Sequence, residues 1–145
     1  MRLLIQRVKE ASVVVDDKII SKIDKGLLVF IGIAEDDDES SLEWLVNKVL
    51  NLRIFEDNQG KMNLSLLELN YDLLLISQFT LYANCERGRR PDFIKAAKPE
   101  DAHKLYDKFS QKIKEKYKSP QEGIFGADMK VSLINDGPVT IMLER

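Results

Sequence analysis

The sequence predicts one α/β (α+β) domain over residues 1–145, with a curled, largely antiparallel, barrel-like β-sheet and two main helices. A chain of 145 residues has single-domain length and buries roughly 70% of its unfolded surface, enough for a core without staples. Its composition, 44% hydrophobic and 32% charged, is that of a globular chain and far from the disordered regime. Seven or eight strand-like segments accompany two amphipathic helical stripes, and the strands are unevenly grouped, which points to a largely antiparallel sheet.

Met1 to Lys9 and Ala11 to Val15 are apolar and β-branched enough for strands. Asp16-Asp17-Lys18 is a polar turn before a further strand, Ile19 to Ile23, so the two form a hairpin. After Gly26 comes the unbroken apolar run Leu27 to Ile33, the character of a strand buried on both faces. The acidic cluster Glu35 to Glu39, followed by Ser40-Ser41, suits a helix start, because carboxylates complement the unpaired N–H groups there. Consecutive carboxylates in a first helical turn point in different directions, which disfavours a metal site. Leu42, Leu45, Val46 and Val49 mark the helix's apolar stripe.

Asp57-Asn58-Gln59-Gly60 is a turn after Ile54-Phe55. Tyr71 to Ile76 is a second buried strand, running into Ser77-Gln78-Phe79-Thr80. Arg87 to Pro91 is a loop, and Pro99-Glu100-Asp101 opens a second helix. Its stripe is Ala102, Leu105, Tyr106, Phe109 and Ile113, ending near Tyr117 before Ser119-Pro120. Met129 to Ile134 and Val139 to Leu143 are expected as two last strands, separated by Asn135-Asp136-Gly137-Pro138. No linker, repeat or low-complexity segment interrupts the chain.

The inventory of reactive groups is short. One cysteine, Cys85, cannot form an internal disulfide or a Cys-rich zinc site, and one histidine, His103, cannot build a His-dominated metal centre. A Ser-His-Asp triad must use His103 or not exist. Enzymology here runs on hydroxyls, amides, carboxylates, backbone groups or the substrate itself, and nothing in the pattern requires a metal or cofactor. The N-terminal stretch has Arg2 and Arg7 among apolar residues and no cleavage site, so no signal peptide is expected. The longest apolar runs fall far short of the ~20 residues that cross a bilayer. With its lone free thiol, the chain is expected to be cytoplasmic. The formal net charge of -2 hides an asymmetry: Arg87 to Lys118 holds eleven Lys and Arg against five Asp and Glu. That segment is either a solvated helix face or a phosphate-facing side, and charge does not decide between them.

Three motifs can carry chemistry. Ser77-Gln78-Phe79-Thr80-Leu81 places polar donors where a buried strand leaves the core, although hydroxyl-bearing residues also simply end strands. Thr80 as a nucleophile needs a base, and a Thr80–His103 pair is disfavoured against an ordinary exposed helical His103. Asp136-Gly137-Pro138-Val139-Thr140 is a turn signal that also offers carbonyls whose direction the proline ring fixes. Gln6-Arg7-Val8 sets an Arg in an apolar strand, where its planar fork suits carbonyl or carboxylate partners.

Together these segments resemble the D-aminoacyl-tRNA deacylase family, formerly called D-tyrosyl-tRNA deacylases. The matching stretches are Gln6-Arg7-Val8 with Ala11-Ser12-Val13, Arg53-Ile54-Phe55 with Gly60-Lys61-Met62-Asn63, and Ser77-Gln78-Phe79-Thr80-Leu81. Glu86-Arg87-Gly88 with Arg90-Pro91 and Phe93, and then Asn135 to Thr140, complete the set. They occur in order over nearly the whole chain, and the SQFT segment followed by a C-terminal NDGPVT is the specific combination.

The resemblance implies hydrolysis of the ester joining a D-amino acid, or mischarged glycine, to the 3′ end of tRNA. It implies a homodimer in which a Gly–cis-Pro pair, here Gly137-Pro138, enters the partner's pocket, engages the substrate's α-amino group and excludes L-side chains. Arg7 would hold that loop, Met129 would join the substrate-binding set, and Ser77, Gln78, Phe79 and Thr80 would form the catalytic pocket. The terminal 2′-OH of the tRNA would assist, which agrees with a chain that has one histidine. Two other readings stay open: a small-ester hydrolase using Thr80, and a non-catalytic RNA-binding module.

Overall fold

In the computed structural model, which describes residues 1–86 and 88–145, eight strands and three helices follow the order β1 (Arg2–Val15), β2 (Lys18–Ile23), β3 (Gly26–Gly32), α1 (Glu39–Asn51), β4 (Phe55–Glu56), β5 (Met62–Leu64), α2 (Leu66–Leu69), β6 (Asp72–Ser77), α3 (Pro99–Lys116), β7 (Gln121–Glu122) and β8 (Lys130–Glu144). A 3-10 turn, Phe79–Tyr82, follows β6. Arg87, named above in the loop and in the basic segment, lies outside the described residues.

The two N-terminal segments form one strand, β1, whose side-chain alternation slips once. Leu3 and Ile5 bury toward the helices, Lys9 and Glu10 are both exposed, and Ala11 and Val13 bury in a second cluster. Because side chains alternate with period two, one out-of-step residue turns the following ones to the other face. The antiparallel partner of β1 changes at the same place, from β3 over residues 2–8 to β2 over residues 11–15. Asp16 and Asp17, both at positive φ (48° and 59°), close the hairpin with β2 in two residues, a conformation short polar side chains tolerate.

The large sheet runs β2-β1-β3-β6-β7, with β8 paired to the other side of β1. The β1 pairings are antiparallel, whereas β6 and β7 join in parallel. β3 and β6 are buried on both faces, as their apolar runs predict. Leu27, Val29, Leu73 and Leu75 pack on α1 and α3, and Leu28, Leu74 and Ile76 fill the inside of the curl. Their contact begins at Gly26, where an added Cβ would lie 2.0 Å from the Asp72 carbonyl oxygen, so the close start of this parallel pair requires glycine.

The acidic cluster divides its work. Asp38 caps α1 by accepting from the Ser41 N–H (2.8 Å), while Asp37 pairs with the N-terminal ammonium and accepts from the Ala34 N–H (2.7 Å). Pro99 opens α3, whose Tyr106, Phe109 and Ile113 are buried as the stripe predicts. The short α2, with its Ser65–Glu68 capping box, and the two-residue β7 are additions to the sequence reading.

One expectation is corrected. Asn135-Asp136-Gly137-Pro138 does not separate two strands by a turn: residues 130–144 form one strand along β1 with these residues bulged out. Thr140 pairs with Gln6 and Asn135 with Val8, so five steps on β8 oppose two on β1. Gln6 Nε2 pins the neck by donating to Asn135 Oδ1 (3.2 Å) and Thr140 Oγ1 (3.3 Å). A turn-forming sequence therefore makes a protrusion, because both flanks keep the same partner.

Candidate active site

The segment after β6 turns sharply away from the sheet. The Gln78 N–H donates to the Ile31 carbonyl (2.7 Å), and the chain then folds into the 3-10 turn. Gly32 makes room: a Cβ there would sit 2.9 Å from Leu81 Cβ and 3.1 Å from the Gln78 carbonyl oxygen. The turn is clamped from below by Arg2, whose Nη1 donates to the Leu81 carbonyl (2.9 Å) and whose guanidinium covers the Tyr82 ring at 4.5 Å. Burial pushes the Tyr82 hydroxyl well above its ordinary range, which keeps it neutral.

Beside this turn lies a cavity of about 660 Å³. Ser77, Gln78 and Phe79 line one wall, and Ile31 and Ile33 line another. Phe93, Ala96, Ala97 and Lys98 close a third side, and the loop Phe125 to Met129 a fourth. Four of the residues singled out in sequence, Ser77, Gln78, Phe79 and Met129, are thus brought together. Phe79 is 58% exposed and meets Phe93 edge-on (5.0 Å between centroids), forming an apolar lip. Such a pocket, mostly apolar with a few converging polar groups, suits a small organic ligand end.

Thr80 is adjacent but outside the lining, and its Oγ1 accepts from Gln78 Nε2 (2.5 Å). His103 contacts Asp107 (3.6 Å) and stacks on Phe125. No Thr80–His103 contact forms among the described residues, so Thr80 has no imidazole base.

A second cluster surrounds Arg7, which is 3% exposed. Its Nη1 donates to the Ile54 carbonyl (2.6 Å), its Nε to the Asp136 carbonyl (3.2 Å) and its Nη2 to the Gly137 carbonyl (3.5 Å). Nε also pairs with Asp136 Oδ2 at 3.1 Å. The sequence expectation that Arg7 is paired to carbonyl or carboxylate groups is met by both. Gly137-Pro138, whose peptide bond is cis, stands exposed at the tip of the bulge. Arg7, Gly137 and Pro138 do not line the cavity of their own chain among the described residues.

The charge of the basic segment is also resolved into parts. Lys104, Lys108, Lys112, Lys116 and Lys118 are paired to carboxylates, including Glu39 and Glu43 on α1 and Asp72. These pairs hold the Glu39 and Glu43 carboxyls below their ordinary range through hydrogen bonds from Lys108 and Lys116. Among the described residues, Arg89, Arg90, Lys95 and Lys98 make no ion pair; they lie on the loop that leads to α3, and Lys98 lines the cavity. Most of the helix's lysines are thus taken up by carboxylates, Lys108 and Lys116 by those of α1 and Lys104 and Lys112 by those of α3 itself, while the loop keeps its cations for solvent or a ligand.

A sequence profile of the family described as D-Tyr-tRNA(Tyr) deacylase matches residues 4–144. The chain belongs to this family. Among its D-Tyr-tRNA(Tyr) deacylase relatives, the D-aminoacyl-tRNA deacylase of Thermosipho melanesiensis is 58% identical over 145 residues, covering 99% of this chain and 97% of its own. That of Halothermothrix orenii is 58% identical over 144 residues with the same coverage. A solved structure described as c-Myc DNA Unwinding Element Binding Protein superposes with a TM-score of 0.94 at 42% identity, covering 100% of this chain and 99% of that one.

Sequence reasoning missed most of the walls that this deacylase-family chain gives its cavity. Ala96 and Ala97 sit in an irregular loop, where the sequence marks Phe93 only as part of the family motif and not as a wall residue, and Phe125 to Asp128 sit in another, with no periodicity to mark them. The one available signal is the pair Gly123 and Gly126 flanking an aromatic, which marks a loop but not what the loop covers.

Proposed function

We propose that this chain hydrolyses the ester of D-aminoacyl-tRNA, and of mischarged glycyl-tRNA, to free amino acid and tRNA while rejecting L-aminoacyl-tRNA. The observation that carries the reading is the cavity beside Ser77-Gln78-Phe79, apolar-walled, with Lys98 in its lining and three further loop cations, Arg89, Arg90 and Lys95, on the segment that leads up to it. A terminal nucleoside with its aminoacyl group fits such a space, and the cations suit the phosphates that precede it. The relatives named as D-aminoacyl-tRNA deacylases support the substrate class.

In this reading, water adds to the ester carbonyl carbon, the bond to the ribose oxygen breaks, and a proton ends on that oxygen. The ester is already activated, so positioning and backbone hydrogen bonding suffice for much of the rate. Phe79 and Thr80 head the 3-10 turn, where N–H groups lack intrahelical acceptors, and they serve the developing oxyanion. The neighbouring 2′-OH of the terminal ribose assists, which suits a chain whose Thr80 hydroxyl is engaged by Gln78 rather than by a base.

Chirality is read by Gly137-Pro138 from a second copy of the chain. Two observations support this: the exposed Gly137-Pro138 does not line its own chain's cavity, and β8 is a 15-residue strand paired only to β1 among the described strands. A long edge with exposed Ile134 and Met142 is a surface that natural proteins ordinarily cover. In the homodimer, the carbonyls of the Gly137-Pro138 pair, on a loop held by Arg7, accept from the substrate's α-amino group and crowd out an L-side chain. A tRNA substrate places the reaction in the cytoplasm.

Salt separates this reading from its rivals. If the four loop cations meet phosphates, log KM for D-aminoacyl-tRNA rises with log[salt] with a slope of about 3. Rapid, salt-insensitive cleavage of small D-amino-acid esters points instead to a small-ester hydrolase. Binding with no release of amino acid points to an RNA-binding module.

A further inference from the structure

The loop from Gly123 to Met129 supplies one whole side of the cavity, yet its backbone is lightly tethered. The Gly123 N–H donates to the Leu75 carbonyl (3.2 Å), and the Ala127 N–H donates within the loop to Ile124 (3.1 Å). The loop joins a two-residue strand to β8, so side-chain packing must fix where its wall stands. Phe125 does that packing against α3. Its ring lies flat on the His103 imidazole, with centroids 4.4 Å apart and 8° between planes. Tyr106 meets the same ring at 5.8 Å and is itself anchored, since its buried hydroxyl donates to the Leu75 carbonyl (3.0 Å). His103 is the adjustable half of this clamp: its side chain is 53% exposed and its polar neighbour is Asp107 on the same helix.

We propose that His103 is a positioning residue for substrate binding, holding Phe125 against Tyr106 so that the loop keeps the cavity wall in place. It acts by stacking and not by proton transfer, because its ring lies behind Phe125 and is not part of the lining. The inference rests on the cavity being the substrate pocket. A stacked aromatic contact accounts for roughly three- to tenfold in an equilibrium constant.

His103→Ala is expected to raise KM for D-aminoacyl-tRNA roughly three- to tenfold while kcat stays within about twofold. His103→Phe, which keeps a flat ring and removes the imidazole, restores KM. A readout that needs no catalysis accompanies these: hydrogen exchange of amides 124–129 in the free protein speeds up in His103→Ala and not in His103→Phe. Unchanged exchange and KM in His103→Ala would overturn the proposal. So would equal impairment of both variants, which assigns the role to the imidazole, or a fall in kcat alone. If the unaltered protein releases no D-amino acid, the functional reading fails, and the exchange measurement still decides whether the clamp exists.

Discussion

The Arg7 guanidinium donates to the carbonyls of Ile54, Asp136 and Gly137 at once, and only a planar fork with several donors can do so from one buried position. Arg7→Ala leaves those acceptors without their donor and costs about 2–4 kcal/mol, read as a lower urea midpoint. Arg7→Lys keeps the charge and loses the fork, so the preference for D- over L-substrate falls about tenfold even where the protein stays folded. Full preference in a folded Arg7→Lys protein would show that the carbonyls of the bulge are aimed by something else. Thr80 gives the complementary test. Thr80→Ala retains substantial turnover, whereas replacing the terminal 2′-OH of the tRNA by hydrogen slows release far more. Loss of about a millionfold in Thr80→Ala, the scale of a missing nucleophile, would return catalysis to the protein.

Among the elements, α1 and α3 are cross-linked through Lys108–Glu39 and Lys116–Glu43, and α1 is capped by Asp38. Hydrogen bonds from the Ser41 backbone lower Asp38, and those from Lys108 and Lys116 lower Glu39 and Glu43, below their ordinary values of 3.8, 4.5 and 4.5. A depressed carboxyl binds its proton more weakly folded than unfolded, so its contribution is present above those values and is lost as pH falls through the folded pKa. Urea midpoints should therefore hold steady from pH 7 to pH 5 and decline below about 4.5, by a modest amount because all three groups are exposed. A midpoint that rises on acidification contradicts these pairings. The same elements show what a sequence discloses. The stripes of α1 and α3, the doubly buried β3 and β6, and the β1–β2 hairpin were legible because hydrophobic period and turn chemistry agree there. α2 and β7 were not, since four and two residues carry no period. The Asn135–Pro138 segment misled, because a turn signal cannot say whether the flanking strands pair with each other or with a third.

At the scale of the molecule, the candidate site is split between two places within one chain. Ser77, Gln78, Phe79 and Met129 share the cavity, and Arg7, Gly137 and Pro138 form a separate protrusion. The sequence held both motifs but not their distance, which depends on how far β1 curls and on where β8 bulges. It also held the excess of positive charge over Arg87 to Lys118, but not its division between lysines paired to carboxylates and cations left on the loop. The proposed homodimer would reunite the two motifs by bringing the cavity of one copy to the bulge of another. The central claim is that the site reads the handedness of an aminoacyl ester. Its most direct test incubates the protein with matched D- and L-aminoacyl-tRNAs carrying the same side chain and follows release of the amino acid. Release from the D-form alone is the predicted result; release from both, or from neither, would contradict the account.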